Sequence, residues 1–360
     1  MELSKDETKI LKGFAIMFMV LLHLFCRKDI DGYYNSFFMI GDIPIEYYVG
    51  LFGDACRPIY LFVTGYAFYT VFLSRSVGAS FRKNLMRIFK LFINYWIVLF
   101  LFLLIGFAVG KGDFFVSIWR FILSFTLIDY SYNGAWWFLQ VYIIIVLLSP
   151  FLINLTKKSR FIYLFLISGS IYFTSHFQVH RGIFDLALPQ DVEKLLFLLG
   201  TSQFSFLVGG LFAKYKIISK LRIKSQHIRF KNMLGITGIV GLVIFHGFIE
   251  SAIIAPINAV GFICLFTLMN KSVQANNFLG YLSSHSTNIW LTHMFFYITF
   301  FKDLTFMSKN PVIIFIWLMF MCIVTSHLIK LIYNPISSAI DRRVEQRQIM
   351  LNKDRSLKAV

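Results

Sequence analysis

Charged residues make up only 15% of the 360, and the acids among them are outnumbered by Lys and Arg, 18 to 35. A chain so short of charge lacks the polar surface that a single soluble core of this size would need around it. Cysteine is equally scarce. Cys26, Cys56, Cys264 and Cys322 lie far apart, mostly inside apolar runs and without ligand spacing, so neither a disulfide framework nor a metal cluster is indicated. They read as small packing residues. No Gly-rich phosphate loop, metal-ligand motif or nucleophilic serine elbow is present, which removes the usual soluble routes to ATP or adenylate chemistry. Internal repeats and low-complexity stretches are also missing. No extramembrane stretch is long enough for a second domain.

What fills the chain is apolar: 58% hydrophobic residues, 18% aromatics and a mean hydropathy of +0.70. That balance belongs to a polytopic membrane protein. The net charge of +17 then reads as the asymmetry of basic loops, not as a nucleic-acid footprint. A span needs about 20 apolar residues, and on that rule about ten can be laid down. They are Ile10 to Phe25, Tyr47 to Leu73, Ile88 to Val109, Ala135 to Leu155, Phe161 to Phe177, Leu195 to Tyr215, Met233 to Phe248, Ala252 to Met269, Ser286 to Phe301 and Pro311 to Tyr333. The first lacks a small-residue cleavage site and is expected to stay as an uncleaved span.

The connections fix an orientation. Arg75, Arg82, Lys83 and Arg87 follow the second span, Lys157, Lys158 and Arg160 the fourth, seven basic residues from Lys214 to Lys231 the sixth, and Arg342, Arg343 and Arg347 the tenth. All fall on one side, which the positive-inside rule makes cytoplasmic. The opposite loops carry acids such as Asp29, Asp31, Asp42 and Glu46. The expected fold is therefore all-α: a polytopic membrane helix bundle of about ten transmembrane helices with both termini cytoplasmic, residues 1–340 forming the membrane domain and 341–360 a basic tail. Phe114 to Leu127 is too short to span, is interrupted by Arg120, and is expected as an interfacial or re-entrant piece on the outer side.

Against this background a few polar residues stand out. Lys12 and His23 share the first span, eleven positions and about 16 Å apart on one helix face. Ionisable groups in lipid are costly and call for a reason. Asp54 and Arg57 follow one turn apart in the outer half of the second span; they are either a neutralised pair pinning two helices or part of a site shared with His23. Thr64 and Gly65 allow a close helix contact. In Asn133-Gly-Ala-Trp-Trp-Phe-Leu-Gln140, at least one indole of Trp136 and Trp137 belongs to an interfacial belt, while the sharper reading has an indole stacking on a sugar ring above Gln140. His293 sits near mid-depth and is read as functional. His246 and His327 lie nearer helix ends and are read as structural. Arg82, Lys83, Arg87 and Lys90 are explained by topology alone, yet so dense a cluster also suits the phosphates of a nucleotide-bearing donor.

The chain resembles the acyltransferase 3 family of integral membrane O-acyltransferases, which modify surface polysaccharides and related glycans. The resemblance rests on Leu11-Lys-Gly-Phe-Ala-Ile-Met-Phe-Met-Val-Leu-Leu-His23, Arg57-Pro-Ile-Tyr-Leu-Phe-Val-Thr-Gly65, Phe81-Arg-Lys-Asn-Leu-Met-Arg87-Ile, Ala135-Trp-Trp-Phe-Leu and Ile289-Trp-Leu-Thr-His293. The family's first motif is an arginine, ten residues, then histidine; here Lys12 replaces the arginine, keeping the charge and losing the bidentate fork. The resemblance implies ten spans in the cytoplasmic membrane of a bacterium, a cytoplasmic acetyl-CoA donor, no metal, and an acceptor glycan hydroxyl reached from outside. On that basis His23, Asp54 and Arg57 are the expected catalytic group, and Lys12, Arg82, Lys83 and Arg87 the donor-binding group. Trp136, Gln140 and His293 would face the acceptor. His23 would act as a base or carry the acyl group as an acyl-imidazole, and either route needs the ring unprotonated. Asp54 would orient it. The alternative class is a polysaccharide or oligosaccharide transporter or flippase using the same polar residues as a path; a membrane sensor lacks a soluble module to receive or send a signal.

Overall fold

The computed structural model describes residues 2–73, 76–111 and 114–357, with side chains as far as Gln346. Arg75 and residues 358–360 of the basic tail lie outside the described residues, as does the side chain of Arg347. The chain is 80% helical. In order it forms α1 (Lys5–Phe25), β1 (Met39–Ile40), β2 (Ile43–Pro44), α2 (Ile45–Phe52), α3 (Cys56–Phe72), α4 (Val77–Ala108), α5 (Ile118–Phe125), α6 (Trp137–Lys158), α7 (Phe161–Arg181), α8 (Gln190–Lys214), α9 (Ile217–Lys224), α10 (Lys231–Phe248), α11 (Ala255–Leu268), α12 (Val273–Met294), α13 (Lys302–Phe306) and α14 (Pro311–Leu357). The two short strands pair antiparallel, Met39 opposite Pro44 and Ile40 opposite Ile43, as a small hairpin in the loop after α1.

Among the described residues, six helices are long and apolar enough to cross a membrane: α1, α4, α6 with the turn before it, α8, α10 and α14. Their outward faces are apolar as well. Phe100, Leu104 and Phe107 on α4, Leu166 and Phe173 on α7, Met233, Val240 and Ile244 on α10, and Ile316, Phe320 and Leu331 on α14 are all exposed. A water-facing surface of that composition would be an aggregation site, whereas lipid tails accept it. This is a multi-pass membrane protein.

Packing centres on α1, which lies against α3 and α12, while α3 crosses α8. The crossings are set by glycine. A methyl group on Gly65 of α3 would fall on the carbonyl oxygen of Phe206, and one on Gly209 of α8 on that of Phe62. Gly13 meets the Leu279 carbonyl of α12 in the same way. The expected close contact at Gly65 is thus realised, backbone against backbone, as small residues permit in membrane bundles.

Several boundaries differ from the sequence expectation. The second span is not one helix: α2 and α3 are joined by a 3-10 turn over Gly53–Ala55, where Gly53 approaches the Phe18 carbonyl of α1. The ninth begins thirteen residues earlier, at Val273, and ends in a π turn over Phe295–Thr299. Apolar counting missed that start because Asn276, Asn277, Ser283, Ser284 and His285 dilute the run. Helix α14 runs past Tyr333 through the basic segment. The Phe114 to Leu127 stretch forms the eight-residue α5, its Phe125 ring stacked on Trp96 at 4.6 Å.

The loop after α1 is clamped by Lys28, whose Nζ lies 2.6 Å from Glu250, with Tyr47 donating to the same carboxylate at 3.1 Å. Lys28, then Tyr47, hold the Glu250 carboxyl below its ordinary value of 4.5. A carboxyl depressed in the folded state stabilises it above the unfolded value and loses that contribution as pH falls through the folded one. Hydrogen exchange in residues 26–44 should therefore stay slow at neutral pH and quicken only well below pH 4.5. Glu250→Gln should remove that pH dependence.

Candidate active site

A cavity of about 600 Å³ lies at the end of the bundle where α1 and α4 begin and where α3 ends. Among the described residues its wall carries four cations, Lys12, Arg87, Lys90 and Lys330, and no acid. Lys90 is paired with the exposed Asp341 at 2.5 Å. Arg87 donates to Asn84 at 3.1 Å, its guanidinium over the Phe68 ring. Lys12 lies 5.2 Å from the centre of the Tyr60 ring. Ala67, Phe68, Val71, Leu91 and Val146 supply an apolar wall, and Asn94 donates to Asn288 at 2.6 Å, which donates in turn to Ser326. The volume lies within the range of small-molecule sites. Cations gathered beside an apolar slot fit a ligand with phosphates at one end and an uncharged arm at the other.

A second, tighter cavity of about 40 Å³ continues along the same helices. On α1 the lining advances from Lys12 to Ala15, Ile16 and Met19; on α12 from Ser284 and Asn288 to Ser286 and Trp290; on the antiparallel α3 from Val71 and Ala67 to Cys56 and Arg57. Tyr60 and Trp290 line both, and the Tyr60 hydroxyl lies 3.2 Å from that of Ser286. His23 stands one turn beyond Met19, and His293 nearly one turn beyond Trp290.

There the two imidazoles meet, ring centres 4.9 Å apart. The Tyr297 hydroxyl is 3.4 Å from His23 Nδ1. His293 is fully buried, with Nδ1 2.8 Å from the Trp290 carbonyl, so that this nitrogen carries the proton; its Nε2 is buried and has no partner among the described residues. The π turn places Tyr297: one residue added to the helical turn swings a side chain off the α-helical phase, a device common at functional sites. His23 itself remains only partly buried.

The other expected site residues fall into separate places. Asp54 was assigned to His23 and, as a plain alternative, to Arg57. Its Oδ2 instead faces His246 Nε2 of α10 at 3.4 Å, and no ion pair joins it to Arg57 among the described residues. The 3-10 turn rotates Asp54 away from the phase that an unbroken helix would give. His246, read as structural from its position near a helix end, is fully buried as that partner. Arg57 does reach the small cavity, its guanidinium 5.4 Å from the centre of the Trp137 ring. Trp136 is corrected: 0% exposed, its indole donates to the Leu291 carbonyl at 3.1 Å and its ring packs on Tyr95 and Phe295, leaving no face for a sugar. Gln140 is half-buried, and its amide donates to the Leu127 carbonyl at 3.2 Å, in the loop after α5. Arg82 and Lys83 are exposed and outside the cavity lining, toward the start of α4, so of the four basic residues expected to hold the donor, Lys12 and Arg87 line it. His327 contacts Tyr281 at 3.0 Å.

Lys330, Asn94, Asn288 and Tyr297 were missed. Each had a signal. Lys330, Asn94 and Asn288 are polar residues within otherwise apolar runs, and Tyr297 follows His293 by four positions, one helical turn.

The fold and the site define a class: a helical membrane protein with a cationic cavity at one end and an imidazole pair beyond it. The family model described as an acyltransferase domain matches residues 7–331, nearly the whole chain, and the chain belongs to that acyltransferase 3 family. No curated protein and no solved structure matched.

Proposed function

We propose that this acyltransferase moves an acetyl group from cytoplasmic acetyl-CoA to a hydroxyl of a surface or capsular polysaccharide, or of its lipid-linked precursor, across a bacterial cytoplasmic membrane. The observation that carries this reading is the succession of two cavities along α1, from the cations around Lys12 toward His23. Lys12, Arg87, Lys90 and Lys330 would hold the phosphates of the donor, and its uncharged arm would follow Tyr60 and Trp290 inward. Ten spans are proposed: α2 with α3, α7, α11 and α12 join the six most apolar helices, and both termini lie with the basic loops on the cytoplasmic side.

In the direct route, His23 takes the proton of the acceptor hydroxyl as that oxygen attacks the thioester carbonyl. The carbon–sulfur bond breaks, and the imidazolium returns its proton to the departing thiolate. With Nδ1 beside Tyr297, Nε2 is the nitrogen left for the substrate. His293, locked through Trp290, backs the ring of His23.

The test is mass spectrometry of surface glycan with and without the gene. A transferase predicts polymer in normal amount lacking one ester of 42 mass units, about the mass an acetyl group adds on replacing a hydroxyl hydrogen. Little polymer outside the cell would support a transporter and overturn this proposal.

A further inference from the structure

Beyond His23, toward the end of α1, lies a further group of polar side chains. Tyr297 lies close enough to Arg27 and Tyr33 for both to act on it electrostatically. Arg27 follows directly on the end of α1, and its guanidinium lies 3.9 Å from the centre of the Tyr33 ring. From the other side of the sequence, Lys302 at the start of α13 brings its Nζ to 4.4 Å from the same ring. Tyr33 is held in place by an edge-on contact with Phe306, ring centres 5.1 Å apart. The Arg27 and Lys302 cations beside the phenol keep Tyr33 below its ordinary pKa.

Two observations mark this cluster. It lies at the opposite end of the bundle from the large cavity, where the positive-inside rule gives no reason for cations. Among the described residues neither cation pairs with a carboxylate, although the nearby Lys28 does. Two like charges converging on one ring repel each other, and an arrangement of that kind is favourable when an anion sits between them.

The geometry points to an anion subsite for the acceptor: Arg27 and Lys302, spaced by Tyr33, grip a carboxylate or phosphate of the glycan while a neighbouring hydroxyl reaches down past Tyr297 to His23. This rests on the acyltransferase reading and narrows its substrate to an anionic acceptor, such as a uronic-acid polymer or a phosphodiester-linked one. A neutral glycan would find nothing at this mouth to match the two charges.

The native glycan decides it. Mass spectrometry and NMR of surface glycan from wild-type and deletion strains identify the sugar that carries the ester, and whether a carboxylate or a phosphate lies on it or on the adjoining residue. The expected result is such an anion, and its chemistry tells the two sources apart. In the same strain, Arg27→Gln with Lys302→Gln should lower ester content at least about tenfold, and Arg27→Lys alone should restore most of it relative to Arg27→Gln. Thermal unfolding of each purified variant within about 2 °C of wild type establishes that it is folded. An ester found on a neutral stretch of glycan, or unchanged ester content in the folded double variant, overturns the anion subsite and leaves the transferase standing. A deletion that alters no ester overturns the transferase reading and the subsite with it.

Discussion

His23→Ala should abolish acyl transfer, lowering the rate by about a thousandfold or more, while the protein still inserts and folds. Positioned general bases contribute about 10² to 10⁴, and a group that carries the acyl itself contributes no less. The structural cost is small by comparison. His23 is only partly buried, and its contacts are one long hydrogen bond to Tyr297 and a ring contact with His293. Alanine is the best helix former, so α1 gains at that position. The measurement is release of free thiol from acetyl-CoA by purified protein supplied with membrane glycan, alongside the ester content of that glycan. Quenching wild-type protein in acid during turnover separates the two chemical routes: labelled acetyl on His23 supports the acyl-imidazole, and its absence the direct attack. A His23→Ala protein that transfers at the normal rate removes this ring from the mechanism.

The sequence carried the axis of the site and lost its sides. Lys12 and His23 were legible because they lie on one helix, where eleven residues translate directly into a shared face and a known rise. The apolar runs gave the helices for the same reason: burial in lipid is a local, cumulative property. What pairs with what across helices is not local. Asp54 was legible as a buried acid but its neighbour was not: it sits in the 3-10 turn Gly53–Ala55, which approaches Phe18 on another helix, and it faces His246 of α10. Trp136 and Trp137 look interchangeable in the sequence. One of them is fully buried and bonded to Leu291, the other lies beneath Arg57, and only the packing of α4 and α12 separates them.

The cavity cations give the second large effect. If Arg87 and Lys330 hold donor phosphates, Arg87→Ala with Lys330→Ala should raise the KM for acetyl-CoA about a hundredfold and change kcat little. A hydrogen bond to a charged group is worth about 1.5–3 kcal/mol, so two of them could amount to several; the cavity's open end admits water and reduces the sum. A hundredfold corresponds to about 2.7 kcal/mol. The separation of KM from kcat is the informative part, because phosphate grips made equally in ground and transition states alter only binding. Lys12 should behave differently. It stands nearest the tight cavity on the same helix as His23, over the Tyr60 ring that lines both spaces. Lys12→Ala would disturb the passage of the arm toward His23, so kcat should fall along with binding. A guanidinium at that position, Lys12→Arg, keeps the charge and adds the fork that the family motif has, and should leave KM no higher than in the native chain. If the double variant binds acetyl-CoA as tightly as the wild type, the large cavity is not the donor site, and the succession of cavities along α1 loses its meaning as a route for the acyl group.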